Sequence, residues 1–219
     1  MPDFEQLVSI PADSVTLAGA LAIPARAQGV VLFAHGSGSG RLSPRNNFVA
    51  QVLRTAGFGT LLIDLLTKDE DAIYETRFDI RRLTRRLLAA TQWLMTQPQA
   101  KDLVMGYFGA STGAAAALQA AAALGAGIRA IVSRGGRPDL ARSALLRVQA
   151  PTLLIVGGRD DLVITLNELT YAQLQAEKQL VIIPGATHLF EEPGALREVA
   201  RLAAEWFNRY LPATPTSGA

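Results

Sequence analysis

The sequence predicts an α/β fold in which helices cover both faces of a mostly parallel β-sheet. Short apolar segments of strand length alternate with longer segments of helical periodicity after the first two strands. The run GVVLFA at 29–34 is apolar throughout, as expected of a strand that is buried on both faces. At 219 residues, the chain suits one domain with a sizeable core. We therefore expect a single domain over residues 1–211 and a disordered tail at 212–219, where Pro, Ser, Thr and Gly are abundant.

The elements follow one another in a regular order. The chain is predicted to begin with an antiparallel hairpin, whose strands at 5–10 and 14–23 are joined by the Pro-Ala-Asp segment at 11–13. Buried strands are then predicted at 29–34, 60–63, 103–108, 128–132, 152–156 and 180–183. Helices are predicted between and after them, at 45–56, 74–96, 112–124, 139–147, 163–177 and 194–210.

Glycine and proline set the ends of these helices. The sequence GFG at 57–59 ends the first helix, Pro98 follows the second, Gly125 closes the third and Pro193 opens the last. Only residues 133–151 separate the strand at 128–132 from the strand at 152–156. That connection leaves no room for a lid domain.

Composition and charge exclude several classes of protein. Apolar residues make up 49% of the chain and charged residues 18%, as in a globular protein. The net charge is +2, and the densest basic cluster, RRLTRR at 81–86, is interpreted as the solvated face of a helix, so we expect no nucleic-acid partner. No apolar stretch approaches the ~18–20 residues of a membrane span, and the N-terminus lacks the pattern of a signal peptide. We expect no membrane partner and a cytoplasmic location.

The segment GASTG at 109–113 has the form G-x-S-x-G and lies where a predicted strand passes into a predicted helix. A turn with almost no loop forces its middle residue, Ser111, into a strained backbone conformation and requires small neighbours. The hydroxyl would then stand above the C-terminal edge of the sheet, beside free N–H groups at the helix start. The pattern predicts a nucleophilic serine, with a helix-capping serine as the alternative.

The sequence lacks the motifs of glycine-rich nucleotide-binding loops and the cysteines that thiol chemistry requires. Gly106, Gly109 and Gly113 lack the G-x-G-x-x-G spacing of a dinucleotide site, and the sequence has no G-x-x-x-x-G-K-[ST] phosphate loop. It has no cysteine, which excludes disulfides, thiolate metal ligands and a cysteine nucleophile. We expect neither a cofactor nor a metal.

A serine nucleophile needs a base and a group that orients the base. His188 lies just past the last predicted strand, and its neutral imidazole could accept the serine proton, although it could also be a loop histidine that caps the helix ahead. Asp160 and Asp161 follow the preceding strand, and either could orient the imidazole. The alternative for the aspartates is capping of the next helix.

The loop HGSGSG at 35–40 follows the strand at 29–34 and can turn sharply to present N–H groups. We predict that the backbone N–H groups of Ser37 and Thr112 form an oxyanion hole. His35 is predicted to be structural, with its side chain holding this loop.

These motifs together resemble the α/β-hydrolase superfamily, in particular its dienelactone-hydrolase-like branch. The resemblance spans about residues 5–210 and rests on FAHGSGSG, GYFGASTG, LLIVGGRDDLV and IPGATHLF, in that order. It implies the α/β-hydrolase fold and the roles of nucleophile, acid and histidine for Ser111, Asp160 and His188. Dienelactone hydrolases proper use a cysteine nucleophile, so a chain without cysteine is similar to a serine esterase rather than to a lactone-cleaving enzyme.

The predicted function is hydrolysis of small carboxylic esters through an acyl-enzyme. Lactone hydrolysis, acyl transfer or perhydrolysis on the same residues, and a non-catalytic binding module, remain the alternatives. Arg134 and Arg137 follow the strand at 128–132 and could select a substrate that carries an acid group, or else pair with Asp139. The sequence leaves the oligomeric state open between monomer and dimer.

Overall fold

The computed structural model describes residues 4–212. Of the tail predicted at 212–219, residues 213–219 lie outside the described residues. Among residues 4–212, no helix combines the length and the apolar character needed to cross a membrane.

The described chain contains eight strands, which are β1 (Phe4–Ala12), β2 (Val15–Ile23), β3 (Val30–Ala34), β4 (Gly59–Ile63), β5 (Met105–Ala110), β6 (Ile128–Arg134), β7 (Thr152–Gly157) and β8 (Lys178–Ile183). They form one sheet in the order β1-β2-β4-β3-β5-β6-β7-β8. The pairs β1–β2 and β2–β4 are antiparallel, and all the pairs from β4 to β8 in that order are parallel. The predicted parallel sheet with an N-terminal hairpin is confirmed.

Helices cover both faces of this sheet, as predicted. The α-helices of residues 4–212 are α1 (Pro44–Thr55), α2 (Lys68–Ala72), α3 (Ile80–Met95), α4 (Thr112–Leu124), α5 (Asp161–Gln173) and α6 (Ala195–Tyr210). Short 3₁₀ segments occur at Glu75–Phe78, Gly125–Gly127 and Pro138–Arg147. Helices α1 and α6 pack together on one face, whereas α3, α4, α5 and the 3₁₀ segment Pro138–Arg147 form a contiguous layer on the other.

Two hydrophobic cores, one on each face, follow from the alternation of side chains along the parallel strands. Leu32 and Tyr107 belong to the core beneath α3 and α4, and their neighbours Phe33 and Phe108 belong to the core beneath α1 and α6. The rings of Phe33 and Phe108 lie 4.9 Å apart, centroid to centroid. Burial on both faces explains why β3 reads as an uninterrupted apolar run.

The predicted helix at 74–96 is wrong at its start. Residues 75–78 form a 3₁₀ turn, and α3 begins only at Ile80. The carboxylate of Asp79 accepts a hydrogen bond from the Arg82 N–H at 3.0 Å and so caps the helix. An aspartate directly before an apolar helical pattern was the sequence signal for this boundary.

The hairpin turn is also shorter than predicted. Pro11 and Ala12 continue β1, where Ala12 pairs with Val15, and the turn is made by Asp13 and Ser14, with Asp13 at φ 51°. Proline is tolerated at this position because β1 is an edge strand, where a missing N–H disrupts no second ladder.

The basic cluster at 81–86 is only partly the solvated face that its pattern indicates. The guanidinium of Arg86 is buried, donating to the Ala12 carbonyl at 2.8 Å and to the Glu70 carboxylate at 2.9 Å. It therefore ties α3 to the end of β1 and to α2, since a buried arginine needs such partners.

Candidate active site

Ser111 lies between β5 and α4 with no intervening loop residue. Its backbone angles, φ 49° and ψ −121°, are rarely adopted by a residue with a side chain. A Cβ on Gly109 would lie 2.5 Å from the Ala114 Cα, and a Cβ on Gly113 would collide with the carbonyl oxygen of Ala34. The glycines of G-x-S-x-G are therefore required by the close approach of α4 to β3 and β5.

The Ser111 side chain does not cap α4, although the residue occupies the N-cap position. The backbone fixes the turn instead. The Ser111 N–H donates to the Arg134 carbonyl at 3.2 Å, and the Ser111 carbonyl accepts from the Arg137 N–H at 3.0 Å. The hydroxyl is thus held at the sheet edge by main-chain bonds and is not consumed in helix capping.

His188 and Asp160 meet at the same edge. The Nδ1–H of the imidazole donates to Oδ2 of Asp160 at 2.6 Å, if the ring is neutral with its proton on Nδ1. Asp160 comes directly before α5 and His188 lies after β8, so adjacent strand ends bring the two side chains together. In this tautomer Nε2 is left as a proton acceptor.

Asp161, the other candidate acid, is placed differently. It is the first residue of α5, it is exposed, and α5 has no side-chain cap at its N-terminus. Capping of α5, which was the alternative for the two aspartates, is performed by neither side chain, because Asp160 occupies the cap position but turns its carboxylate to His188.

A pocket of about 260 Å³ brings the candidate residues together. Its lining combines small residues of the β3 exit loop with polar and apolar residues from four other segments: Gly36, Ser37, Ser39, Arg45, Ala110, Ser111, Arg134, His188 and Leu189. Both Ser111 and His188 thus face one cavity, which Ser37 also borders. Thr112 is buried directly behind Ser111 as the first residue of α4, where backbone N–H groups lack partners within the helix.

The second histidine, His35, holds the loop after β3. Its Nδ1 lies 2.8 Å from the Gly36 carbonyl oxygen, and its Nε2 accepts the Leu65 N–H at 2.8 Å. Only 3% of the residue is exposed, and burial lowers the pKa of the imidazole, against smaller opposing effects of the Gly36 carbonyl and of Asp64 and Asp71. Both ring nitrogens are committed to the backbone.

The two arginines that the sequence singled out also separate. Arg137 forms a two-pronged salt bridge with Asp139, at 2.9 and 2.8 Å, and is not part of the pocket lining. Arg134, the last residue of β6, lines the pocket and is 8% exposed. The structure brings the side chain of Arg134, but not that of Arg137, to the pocket that Ser111 lines.

The sequence reasoning missed Arg45, which lines the same pocket from the first turn of α1. Its Nη1 donates to the Glu191 carboxylate at 2.9 Å. A cation in a first helical turn opposes the helix dipole. That unfavourable placement, just after the glycine-rich loop, was the signal that could have pointed to it.

Comparisons with known proteins identify relatives that match this chain over most of its length. The model of the dienelactone hydrolase family matches residues 17–212. A dienelactone hydrolase from Anabaena variabilis has a solved structure that is 59% identical, with a TM-score of 0.92, and the match covers 95% of this chain and 98% of that one. Est1E from Butyrivibrio proteoclasticus shares the fold at 17% identity, with a TM-score of 0.78 and coverage of 93% and 98%.

Two curated relatives come from Mycobacterium tuberculosis, strains CDC 1551 and H37Rv, and each bears the name "Putative phosphoribosyl transferase". Each is 54% identical over 98% of this chain, but the match covers 48% of the relative. The chain thus spans about half the length of these relatives. With the family model matched over nearly its whole length, the chain belongs to the dienelactone hydrolase family and has the α/β-hydrolase fold.

Proposed function

We propose that this hydrolase cleaves small carboxylic esters through an acyl-enzyme, with Ser111 as nucleophile, His188 as general base and Asp160 as the orienting acid. The observation that carries the proposal is the 2.6 Å contact between Asp160 and His188 beside the pocket that Ser111 lines. The family supports hydrolysis, and the strained turn at Ser111 supports a nucleophile at that position.

In the first half of the reaction, the Ser111 hydroxyl oxygen attacks the ester carbonyl carbon while His188 takes the hydroxyl proton at Nε2. The carbonyl oxygen becomes an oxyanion, for which the N–H groups of Ser37 and Thr112 are the proposed donors. The bond to the leaving oxygen then breaks, and His188 returns the proton to the departing alcohol. Asp160 stabilises the imidazolium that exists between these two steps.

In the second half, water attacks the acyl-Ser111 carbonyl carbon and gives its proton to His188. The tetrahedral species collapses, the bond to the Ser111 oxygen breaks, and that oxygen takes the proton back from His188. The products are the free acid and the original enzyme, so every step is supplied by the side chains and by water.

The size of the pocket limits the substrate. A cavity of about 260 Å³ lies just below the range of about 300–1,000 Å³ typical of drug-sized ligands. Short acyl groups fit such a space, and a second shallow cavity of about 380 Å³ adjoins it at Arg45. We therefore propose small-molecule esters in preference to long-chain lipids.

A covalent serine probe tests the proposal directly. A fluorophosphonate should phosphonylate Ser111 with loss of fluoride, so that the wild-type protein gains the mass of the phosphonyl group and Ser111→Ala stays unlabelled, with intact mass measurement and peptide mapping as the readout. Ser111→Ala should also lower kcat on a short p-nitrophenyl ester by several orders of magnitude, with an unchanged circular dichroism spectrum. Folded wild-type protein that resists labelling would favour a non-catalytic binding module.

Other reactions of the same acyl-enzyme differ in what attacks it. Lactone hydrolysis, acyl transfer and perhydrolysis would be distinguished by product analysis with a lactone, an added alcohol or hydrogen peroxide. The transferase name of the mycobacterial relatives describes chains about twice as long as the matched region, and we do not propose that activity for this chain.

A further inference from the structure

A second cavity, of about 380 Å³, adjoins the pocket of Ser111. It lies between the start of α1, the loop after β8 and the start of α6. Its apolar lining comes from Phe48 of α1, Phe190 and Pro193 of the loop, and Leu196 of α6, and charged side chains complete it. The catalytic steps proposed above use none of these four residues, so the cavity is available for another part of the substrate.

Phe48 is an aromatic residue whose place in the cavity is not explained by packing of the core. It is 37% exposed, whereas the next two residues of α1, Val49 and Ala50, are buried in the core beneath α1 and α6. Phe190 is 1% exposed and belongs to that core, and Leu196 packs against it. One part of the cavity lining is therefore fixed by the core, and another part is a ring that an apolar ligand would cover.

The two cavities meet at Arg45, which lines both. Its Nη1 donates to the Glu191 carboxylate at 2.9 Å, and both side chains are partly open to solvent. A solvent-exposed ion pair contributes little to stability, so this pair can shift when one molecule occupies both cavities. The cavity of about 380 Å³ is thus accessible from the pocket in which the ester bond is cleaved.

The position of His188 decides which part of an ester lies toward the second cavity. In the proposed reaction the imidazole returns a proton to the leaving oxygen, which must therefore lie within hydrogen-bonding distance of Nε2. The loop that carries His188 joins the two cavities, because Leu189 lines the first and Phe190 lines the second. The alcohol part of the ester, which is bonded to the leaving oxygen, is directed along this loop, and the acyl part stays in the pocket of Ser111.

We propose that the second cavity binds the alcohol part of the substrate, and that Phe48 selects esters whose alcohol carries an aryl or similarly bulky apolar group. This inference rests on the proposed ester hydrolysis and specifies its substrate class as esters of a short acid with a large apolar alcohol. The volumes agree with that division, since the second cavity is the larger of the two, at about 380 Å³ against about 260 Å³. A ring held between Phe48 and Leu196 removes apolar surface of all three groups from water.

Two isomeric esters test which part of the substrate lies in the second cavity. 3-Phenylpropyl acetate carries its ring on the alcohol, and ethyl 3-phenylpropanoate carries it on the acyl group, while both are esters of unbranched primary alcohols. We expect kcat/KM to be at least about 10-fold higher for 3-phenylpropyl acetate, since apolar contacts in a pocket discriminate by such factors. Equal values, or a preference for ethyl 3-phenylpropanoate, would overturn the proposal.

Substitutions at Phe48 locate the preference. Phe48→Ala should lower the ratio of kcat/KM for 3-phenylpropyl acetate to that for its isomer about 10-fold, mainly through a higher KM, because a binding contact is lost and the catalytic residues stay in place. Phe48→Leu keeps an apolar side chain and should give an intermediate ratio; it carries the test if Phe48→Ala does not fold.

Phe78→Ala is the matched control for Phe48→Ala. Phe78 is similarly exposed, at 40%, but it lines neither of the two cavities. This variant should therefore keep the wild-type ratio for the two isomers. An unchanged ratio in both Phe48 variants, or equal losses in Phe48→Ala and Phe78→Ala, would contradict the assignment of Phe48.

Binding of the alcohol alone separates this inference from the proposed function. In a titration followed by NMR, the wild-type protein should bind 3-phenylpropan-1-ol at least about 10-fold more tightly than propan-1-ol, which lacks the ring, and Phe48→Ala should lose most of that difference. If the wild type hydrolyses neither isomeric ester but binds 3-phenylpropan-1-ol through Phe48, the proposed function fails and the apolar site stands. Equal binding of the two alcohols, or binding of neither, would overturn the inference whatever the result for hydrolysis.

Discussion

The loops after β3 and after β8 each carry one of the two histidines of this chain, and the two are used in different ways. His35 commits both ring nitrogens to backbone groups, at Gly36 and Leu65, and is almost wholly buried. His188 bonds through Nδ1 to Asp160 and lines the pocket of Ser111. The position at the sheet edge is therefore not enough to identify a base, and the decisive feature is a ring nitrogen that remains available.

The largest expected effect separates the two histidines directly. His188→Gln should lower kcat on a short ester by about 10²–10⁴-fold or more, because no other imidazole can take the Ser111 proton. Its melting temperature should stay close to that of the wild type. His35→Gln should instead lower the melting temperature, since the Leu65 N–H and the Gly36 carbonyl lose a fitted partner. The comparison is wrong if His35→Gln loses the larger share of kcat at a temperature where it is folded.

The two aspartates after β7 allow a second comparison, which concerns the group that orients His188. Asp160→Asn should lower kcat by up to about 10⁴-fold, because an amide neither selects the productive tautomer of His188 nor stabilises its imidazolium. Asp161→Asn is the matched control, one residue away and exposed, and should keep kcat within about twofold. Steady-state kinetics on both variants decide the assignment. Loss of turnover in Asp161→Asn with Asp160→Asn active would reverse the roles.

The turn that presents Ser111 can be disrupted by a substitution at Gly113. In Gly113→Ala the new methyl group would meet the Ala34 carbonyl, and α4 could not approach β3 without a backbone shift. We expect a loss of about 1–3 kcal/mol in the free energy of unfolding, measured by urea titration, together with a loss of kcat. Ala115→Gly, two residues further along α4, controls for a general change in that helix. Wild-type stability and activity in Gly113→Ala would show that the turn is not constrained as described.

Much of the fold was predictable because the signals were local. The apolar run of β3 and the junction at 109–113 identified strand ends, and α4 occupies the predicted residues 112–124. Ser111, Asp160 and His188 could be placed at one edge, since parallel strands end on the same side of the sheet. Their catalytic roles stay predictions, although the contact between Asp160 and His188 is the one that those roles require.

What the sequence did not predict depends on contacts between distant segments. Arg134 and Arg137 look alike in sequence, and only the packed loop shows that one pairs with Asp139 and the other faces the pocket. Arg45 reaches the site from α1, and Arg86 is buried because Glu70 and the Ala12 carbonyl surround it. In each case a long flexible side chain could lie several ways, and tertiary contacts select one.

The smallest expected effect concerns acid stability and returns to His35. Burial lowers its pKa from the ordinary value of 6.5, and Nε2 accepts the Leu65 N–H, so protonation would place a donor against a donor. The unfolded chain takes up this proton near pH 6.5, whereas the folded protein takes it up only at lower pH. The free energy of unfolding should therefore fall as the pH drops below about 6.5, by at most about 1.4 kcal/mol per pH unit for one proton, until the folded pKa is passed.

The measurement is the free energy of unfolding between pH 7.5 and 5, in a background that carries His188→Gln so that His35 is the remaining histidine. Adding His35→Gln should make the protein less stable at pH 7.5 but should flatten the decline below pH 6.5, because glutamine does not titrate. The His35 side chain would then affect two separate quantities, which are the free energy of unfolding at neutral pH and its slope against pH in acid. If both proteins decline with the same slope, His35 is not the group that couples folding to proton uptake.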